Sequence, residues 1–100
     1  MKKNTIKKRK IHRDCWDLDW AFLFWLKERL PVYLKDAGKF VNLDYHKFEY
    51  NGKTYTQREV IERMIHLLDM LPDDDWQEEW DTHTNEILDL WKIVFPAMWW

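Results

Sequence analysis

The sequence predicts a mainly α fold: a small three-helix bundle whose first helix is kinked at Pro31, with a short β-hairpin inserted between helices one and two. Three observations predict it. Apolar residues recur at spacings of three and four in three separate segments. An Asn51-Gly52 pair sits between two alternating tetrads. Only Gly38 and Gly52 supply glycine in 100 residues, which leaves few sites for tight turns. The expected organisation is a basic, flexible arm over 1–13 followed by one helical domain over 14–100.

Asp17 is the expected N-cap of helix one, with Asp19 favourable in its first turn. The segment 18–36 then reads as helix. Leu18, Phe22, Trp25, Leu26, Leu30 and Tyr33 mark its inner face, while Trp20, Leu23 and Phe24 fall off it. Pro31 removes one helix donor and crowds the carbonyl four residues back, which predicts a kink or break near Arg29-Leu30. Gly38 is the expected stop. Phe40, Val41 and Leu43 lead toward the hairpin, formed by Lys47-Phe48-Glu49-Tyr50 and Lys53-Thr54-Tyr55-Thr56 around a type I′ turn. Such a hairpin is marginal alone and must lean on the helices.

Thr56-Gln57-Arg58-Glu59 is a capping box and starts helix two, expected to run to about Leu71 before Pro72. Val60, Ile61, Met64, Ile65, Leu68 and Leu71 form its buried stripe, and Glu59 and Arg63 are ordered for an i,i+4 pair. Asp73-Asp74-Asp75 opens helix three, matching its dipole, with Asp74 or Asp75 as cap. Trp76, Trp80, Thr84, Ile87, Leu88, Trp91, Val94 and Phe95 repeat along one face, and Pro96 closes the helix.

A net charge of −2 hides a strong segregation. Seven positive charges (Lys2, Lys3, Lys7, Lys8, Arg9, Lys10, Arg13) precede the first acid, whereas nine acids and one base, Lys92, follow from Asp69 onward. An arm of this kind is ordinarily solvated; the alternatives are contact with phosphate or an acidic partner, or with the acidic C-terminal half of this chain or a second copy. The lone Cys15 cannot form an internal disulfide, which points to a reducing cytosol. The longest apolar run, Trp20 to Leu26, is too short to span a bilayer, and no small-residue cleavage site follows the basic start, so no membrane or secretory role is expected.

No enzyme is expected. His12, His46, His66 and His83 are dispersed without metal spacing, and no metal or cofactor is expected. His12 and Cys15 are a weak ligand set, and no glycine loop is built to cradle phosphate. The acids from Asp73 to Asp81 match a helix dipole better than they build a cation site. Nucleic acid has one route, through Lys7, Lys8, Arg9, Lys10 and Arg13 beside Trp16, because no helix carries a basic face, and a nucleotide could use the same arm. The acidic face from Asp73 to Asp89 has an inverse reading, as a mimic of nucleic acid in another protein's basic channel.

Eight tryptophans in so short a chain belong to a crowded core or to a gripping surface. Trp25, Trp80 and Trp91 lie on predicted inner faces and are expected in the core. Trp20, Trp76, Trp99 and Trp100 are harder to bury together.

Several stretches carry a likeness to known proteins: Trp16-Asp17-Leu18-Asp19, Leu30-Pro31, Gly52-Lys53-Thr54-Tyr55-Thr56 and Phe95-Pro96-Ala97-Met98-Trp99-Trp100. Through them the chain resembles a group of small accessory proteins encoded by tailed bacteriophages and prophages. The resemblance spans most of the chain after the arm and transfers no catalytic residue. It implies a phage protein in the cytoplasm of the bacterial host, one that binds a host enzyme, a defence complex or a signalling molecule. The leading expectation is therefore a non-enzymatic inhibitor of a bacterial host protein, with an antiviral defence component as the candidate target. Its expected contacts are Trp20, Phe24, Asp73, Asp74, Asp75, Glu78, Glu79, Trp99 and Trp100. The alternatives are nucleic-acid binding through the arm and, in an oligomer, sequestration of a nucleotide signal on indoles with Arg13 or Arg58 on phosphate.

Overall fold

Helix α1 spans Leu18–Ala37 in the computed structural model, which describes Cys15, residues 17–72 and residues 77–98. Asp17 holds the N-cap position, but its carboxylate makes no capping bond. The Asp17 carbonyl accepts from the Ala21 N–H at 2.8 Å, and Asp19 Oδ1 accepts from the Trp20 N–H at 2.8 Å. The orphan donor of the first turn is thus satisfied by Asp19 and not by the expected Asp17. The helix passes Pro31 without a break. Pro31 and Lys27, whose carbonyl the proline ring leaves without its usual donor, both lie on the exposed side of the helix, away from the core.

Gly38 ends α1 with ordinary right-handed dihedrals, so its role is one of space and not of positive φ. A Cβ there would stand 2.8 Å from the Leu34 carbonyl oxygen. Gly38→Ala is expected to cost about 1 kcal/mol, at the low end of overpacking, because the helix end can shift toward solvent. Urea unfolding checks it; a stabilised variant contradicts the contact.

The chain then buries Leu43 completely and enters the hairpin, β1 (Lys47–Tyr50) antiparallel to β2 (Lys53–Thr56). Asn51 and Gly52 take φ of 51° and 78°, as the type I′ turn requires. Phe48 faces Tyr55 across the ladder, and with Tyr50 these rings pack on the helices.

Helix α2 (Gln57–Asp69) begins at the complete capping box. Thr56 Oγ1 accepts from the Glu59 N–H, and Glu59 Oε1 accepts from the Thr56 N–H. Glu59 is therefore committed to the cap, and Arg63 reaches Glu86 of the next helix at 2.7 and 3.2 Å in place of the expected i,i+4 partner. Leu67 and Gln57 join the buried stripe, and Ile65 and Leu71 are only half-buried. Helix α3 (Glu78–Val94) follows, with Gln77 at its N-cap and Glu78, Glu79 and Asp81 in its first turn. The caps expected at Asp74 or Asp75, and the apolar position Trp76, lie outside the described residues. A 3-10 turn, Phe95–Ala97, carries Pro96 where the helix stops.

Among the described residues, α2 is the central element, with α1 and α3 packed against it. Lys27 and Leu23 of α1 lie near Asp69 and Leu68 of α2, while Tyr33 meets Gln57, so α1 and α2 run antiparallel. Gln57 also reaches Ala97, which sets α3 antiparallel to α2 and parallel to α1.

Among the described residues the fully buried core is aliphatic: Trp80 and Trp91 pack against it only partly buried, and Trp25, expected inside, is exposed. Leu23, Leu26 and Leu30 of α1 meet Val60, Ile61, Met64, Leu67 and Leu68 of α2 and Ile87, Leu90 and Val94 of α3. Leu23, expected off the face, is buried; Leu18 and Trp25, expected on it, are 64% and 47% exposed. In α3 Leu90 is buried, whereas Leu88 and Phe95 face outward. Helix axes approach to roughly 8–10 Å only where compact side chains occupy the contact line. The bulkier rings are displaced to its flanks, where Trp80 and Trp91 remain partly accessible.

Candidate functional site

Two apolar surfaces flank α1, one on each side of its buried stripe. The first carries the expected contacts Trp20 and Phe24, one helical turn apart, with ring centroids at 5.5 Å. Phe24 is 51% exposed and Trp20 half-buried. They border a shallow depression with Lys27 of α1 and with Leu68, Leu71 and Pro72 from the end of α2. Trp20 also leans on Trp80 at 5.9 Å, which ties its orientation to α3. Aromatics held by their neighbours at the edge of a depression offer large contact area with little rotamer entropy left to lose.

The second surface is the seam between the parallel helices α1 and α3, where an open groove of about 690 Å³ runs between Leu18 and Phe22 on one wall and Trp80 and Leu88 on the other. Further along, Phe22 meets Trp91 edge-on at 6.1 Å and stacks beside Trp25 at 6.4 Å, and Trp91 contacts Phe95 at 5.0 Å. The Arg29 guanidinium caps Trp25 at 4.8 Å. Trp25 and Phe95 remain about half exposed, so this part of the seam presents aromatic surface to solvent. The Trp80 Nε1–H is buried without an acceptor among the described residues.

Charge is graded along the seam. Asp17, Asp19, Glu78, Glu79 and Asp81 gather where α1 and α3 begin, partly offset by the two helix dipoles; toward the other end lie Lys92 and Arg29, the latter 4.0 Å from the Glu28 carboxylate in an exposed pair. Elsewhere, cations are largely spoken for. Arg58, one candidate for a nucleotide phosphate, is held by both carboxylate oxygens of Asp44 at 3.3 and 3.4 Å. The Glu86 carboxylate raises the pKa of Arg63 above its ordinary value. On the hairpin, Tyr50 donates to Asp89 at 3.1 Å, and its pKa is raised by burial and by that carboxylate.

Structure brings Trp20 and Phe24 together and leaves Glu78 and Glu79 exposed at the start of α3. Asp73, Asp74, Asp75, Trp99 and Trp100 lie outside the described residues, as do Lys7, Lys8, Arg9, Lys10, Arg13 and Trp16 of the nucleic-acid alternative. Cys15 is free and exposed. Among the described residues no three His, Cys, Asp or Glu side chains converge to hold a metal ion, and no helix is long and apolar enough to cross a membrane.

The seam was the missed surface. Its signal is present in the sequence: apolar residues cover more of α1's circumference than one contact line can bury, so Leu18, Phe22 and Trp25 cannot all lie on that line. The chain matches no protein-family model, no curated protein and no solved structure.

Proposed function

We propose that this protein works by stoichiometric binding and not by catalysis: a phage accessory protein that inhibits a bacterial host factor, with an antiviral defence component as its target. The observation that carries the reading is the Trp20–Phe24 pair, braced by Trp80, on a domain whose fully buried interior among the described residues is already filled by aliphatic side chains. These rings add little that the core needs. Their value lies in contact with something else, and paired aromatics beside a small depression are the usual centre of a binding hot spot. The acidic start of α3, with Glu78 and Glu79 exposed nearby, adds a negative rim that favours a basic partner surface. The setting, a tailed phage acting in the host cytoplasm, rests on the resemblance of the segments around Trp16, Pro31, Gly52 and Pro96.

The test is functional. Expressed in bacteria carrying individual antiviral defence systems, the wild-type chain is expected to restore phage plating on one of them. Trp20→Ala/Phe24→Ala is expected to lose that restoration, the cost of a hot spot being about 2 kcal/mol or more, while far-UV circular dichroism and cooperative melting are retained. Full restoration by the folded double variant would remove this surface as the contact.

A further inference from the structure

We propose that the α1–α3 seam is a homodimer interface, closed by a second copy of this chain in antiparallel, two-fold arrangement. The seam is apolar along its length, where Leu18, Trp25 and Leu88 remain about half exposed or more, and it differs in charge between its two ends. Asp81 and Lys92 lie on the same face of α3, three turns and about 16 Å apart, with Leu88 between them. Neither has an ion-pair partner among the described residues.

A two-fold axis midway between Asp81 and Lys92, within two residues of Leu88, sets Asp81 of each copy against Lys92 of the other and the two Leu88 side chains next to each other, because in such an interface residue i meets j while j meets i. The same operation turns the acidic end, with Asp17 and Asp19, toward the Arg29 end of the second copy. A basic peptide would match only the acidic end of this groove. A second copy matches both ends, and it covers Leu88 with Leu88. The Trp20–Phe24 surface lies on the other flank of α1 and stays open in this dimer, so each copy keeps its own partner site.

Sedimentation velocity over a concentration series tests the proposal on the full chain. Wild type is expected to dimerise reversibly below ~100 μM. Leu88→Glu places a carboxylate beside its symmetry mate and is expected to be monomeric throughout, and to melt as wild type does at concentrations where wild type is itself monomeric, because Leu88 is 49% exposed in the monomer. Asp81→Lys is expected to weaken dimerisation roughly ten- to hundredfold, since it creates two like-charge contacts at once. Asp81→Lys/Lys92→Asp is expected to recover wild-type affinity to within about threefold. A wild-type monomer at ~100 μM overturns the proposal. So does a double exchange no tighter than Asp81→Lys, a dimer indifferent to Leu88→Glu, or a native mass spectrum in which Leu88→Glu releases a different molecule from a single chain.

Discussion

Leu26→Ala is expected to lower the unfolding free energy by about 3–4 kcal/mol, whereas Trp25→Ala, one residue away, costs no more than about 1 kcal/mol. Leu26 is 0% exposed and sits where α1 meets α2, so its truncation leaves a cavity that helix backbones cannot collapse around. Trp25 has the larger side chain but is nearly half exposed, so removing it returns to water a surface already partly wet. What it loses is contact with Phe22 and the Arg29 cap, each a modest term at an exposed site. For a domain of this size the difference corresponds to roughly 10–20 °C in Tm between the two variants. Thermal unfolding followed at 222 nm reads it directly. A Trp25→Ala protein less stable than Leu26→Ala would mean that the indoles, after all, form the core.

Gln57→Leu is expected to cost about 2 kcal/mol despite near-equal volume. Gln57 is buried, and its amide nitrogen donates to the Tyr33 hydroxyl of α1 at 3.3 Å and to the Ala97 carbonyl beyond α3 at 3.4 Å. One side chain thus joins three parts of the fold. Leucine keeps the packing and removes both bonds, which isolates the polar contribution. A second readout comes from titration. Burial raises the pKa of Tyr33, and the Gln57 hydrogen bond partly offsets this, so the variant's Tyr33 should ionise at still higher pH. The sign follows from linkage: a phenol whose folded pKa is raised contributes stability below its unfolded value near 10, and that stability is lost as pH rises through the folded value. Absorbance at 295 nm against pH checks the shift; an unchanged or lowered Tyr33 ionisation contradicts the bond.

Local signals in the sequence carried through to the structure where the chemistry is itself local. Asn51-Gly52 needs positive φ and found it, and the Thr56/Glu59 box closed as written, because each depends on neighbours within four residues. The reading failed where the outcome depends on which of several apolar arcs meets another helix. Leu23 and Trp25 are both apolar, and the spacing of three and four puts Trp25 on the inner face and Leu23 off it, yet close helix approach favours the branched aliphatic. Gln57 was read only as part of a cap, since nothing local says that Tyr33 and Ala97, 24 and 40 positions away, converge on it. The candidate surface was legible in part. Trp20 and Phe24 stand apart by their phase on α1, whereas the seam residues Leu18, Phe22 and Trp25 share the periodicity of the buried stripe and cannot be told from it by spacing alone.

The most direct test of the central claim, that this chain acts through an aromatic surface on a host protein, is native mass spectrometry of the tagged protein recovered from nuclease-treated bacterial lysate. The account predicts one host protein in stoichiometric complex with the wild type and with Leu88→Glu, and its loss from the folded Trp20→Ala/Phe24→Ala variant. No host protein on any form, or the same complex on all three, would contradict it.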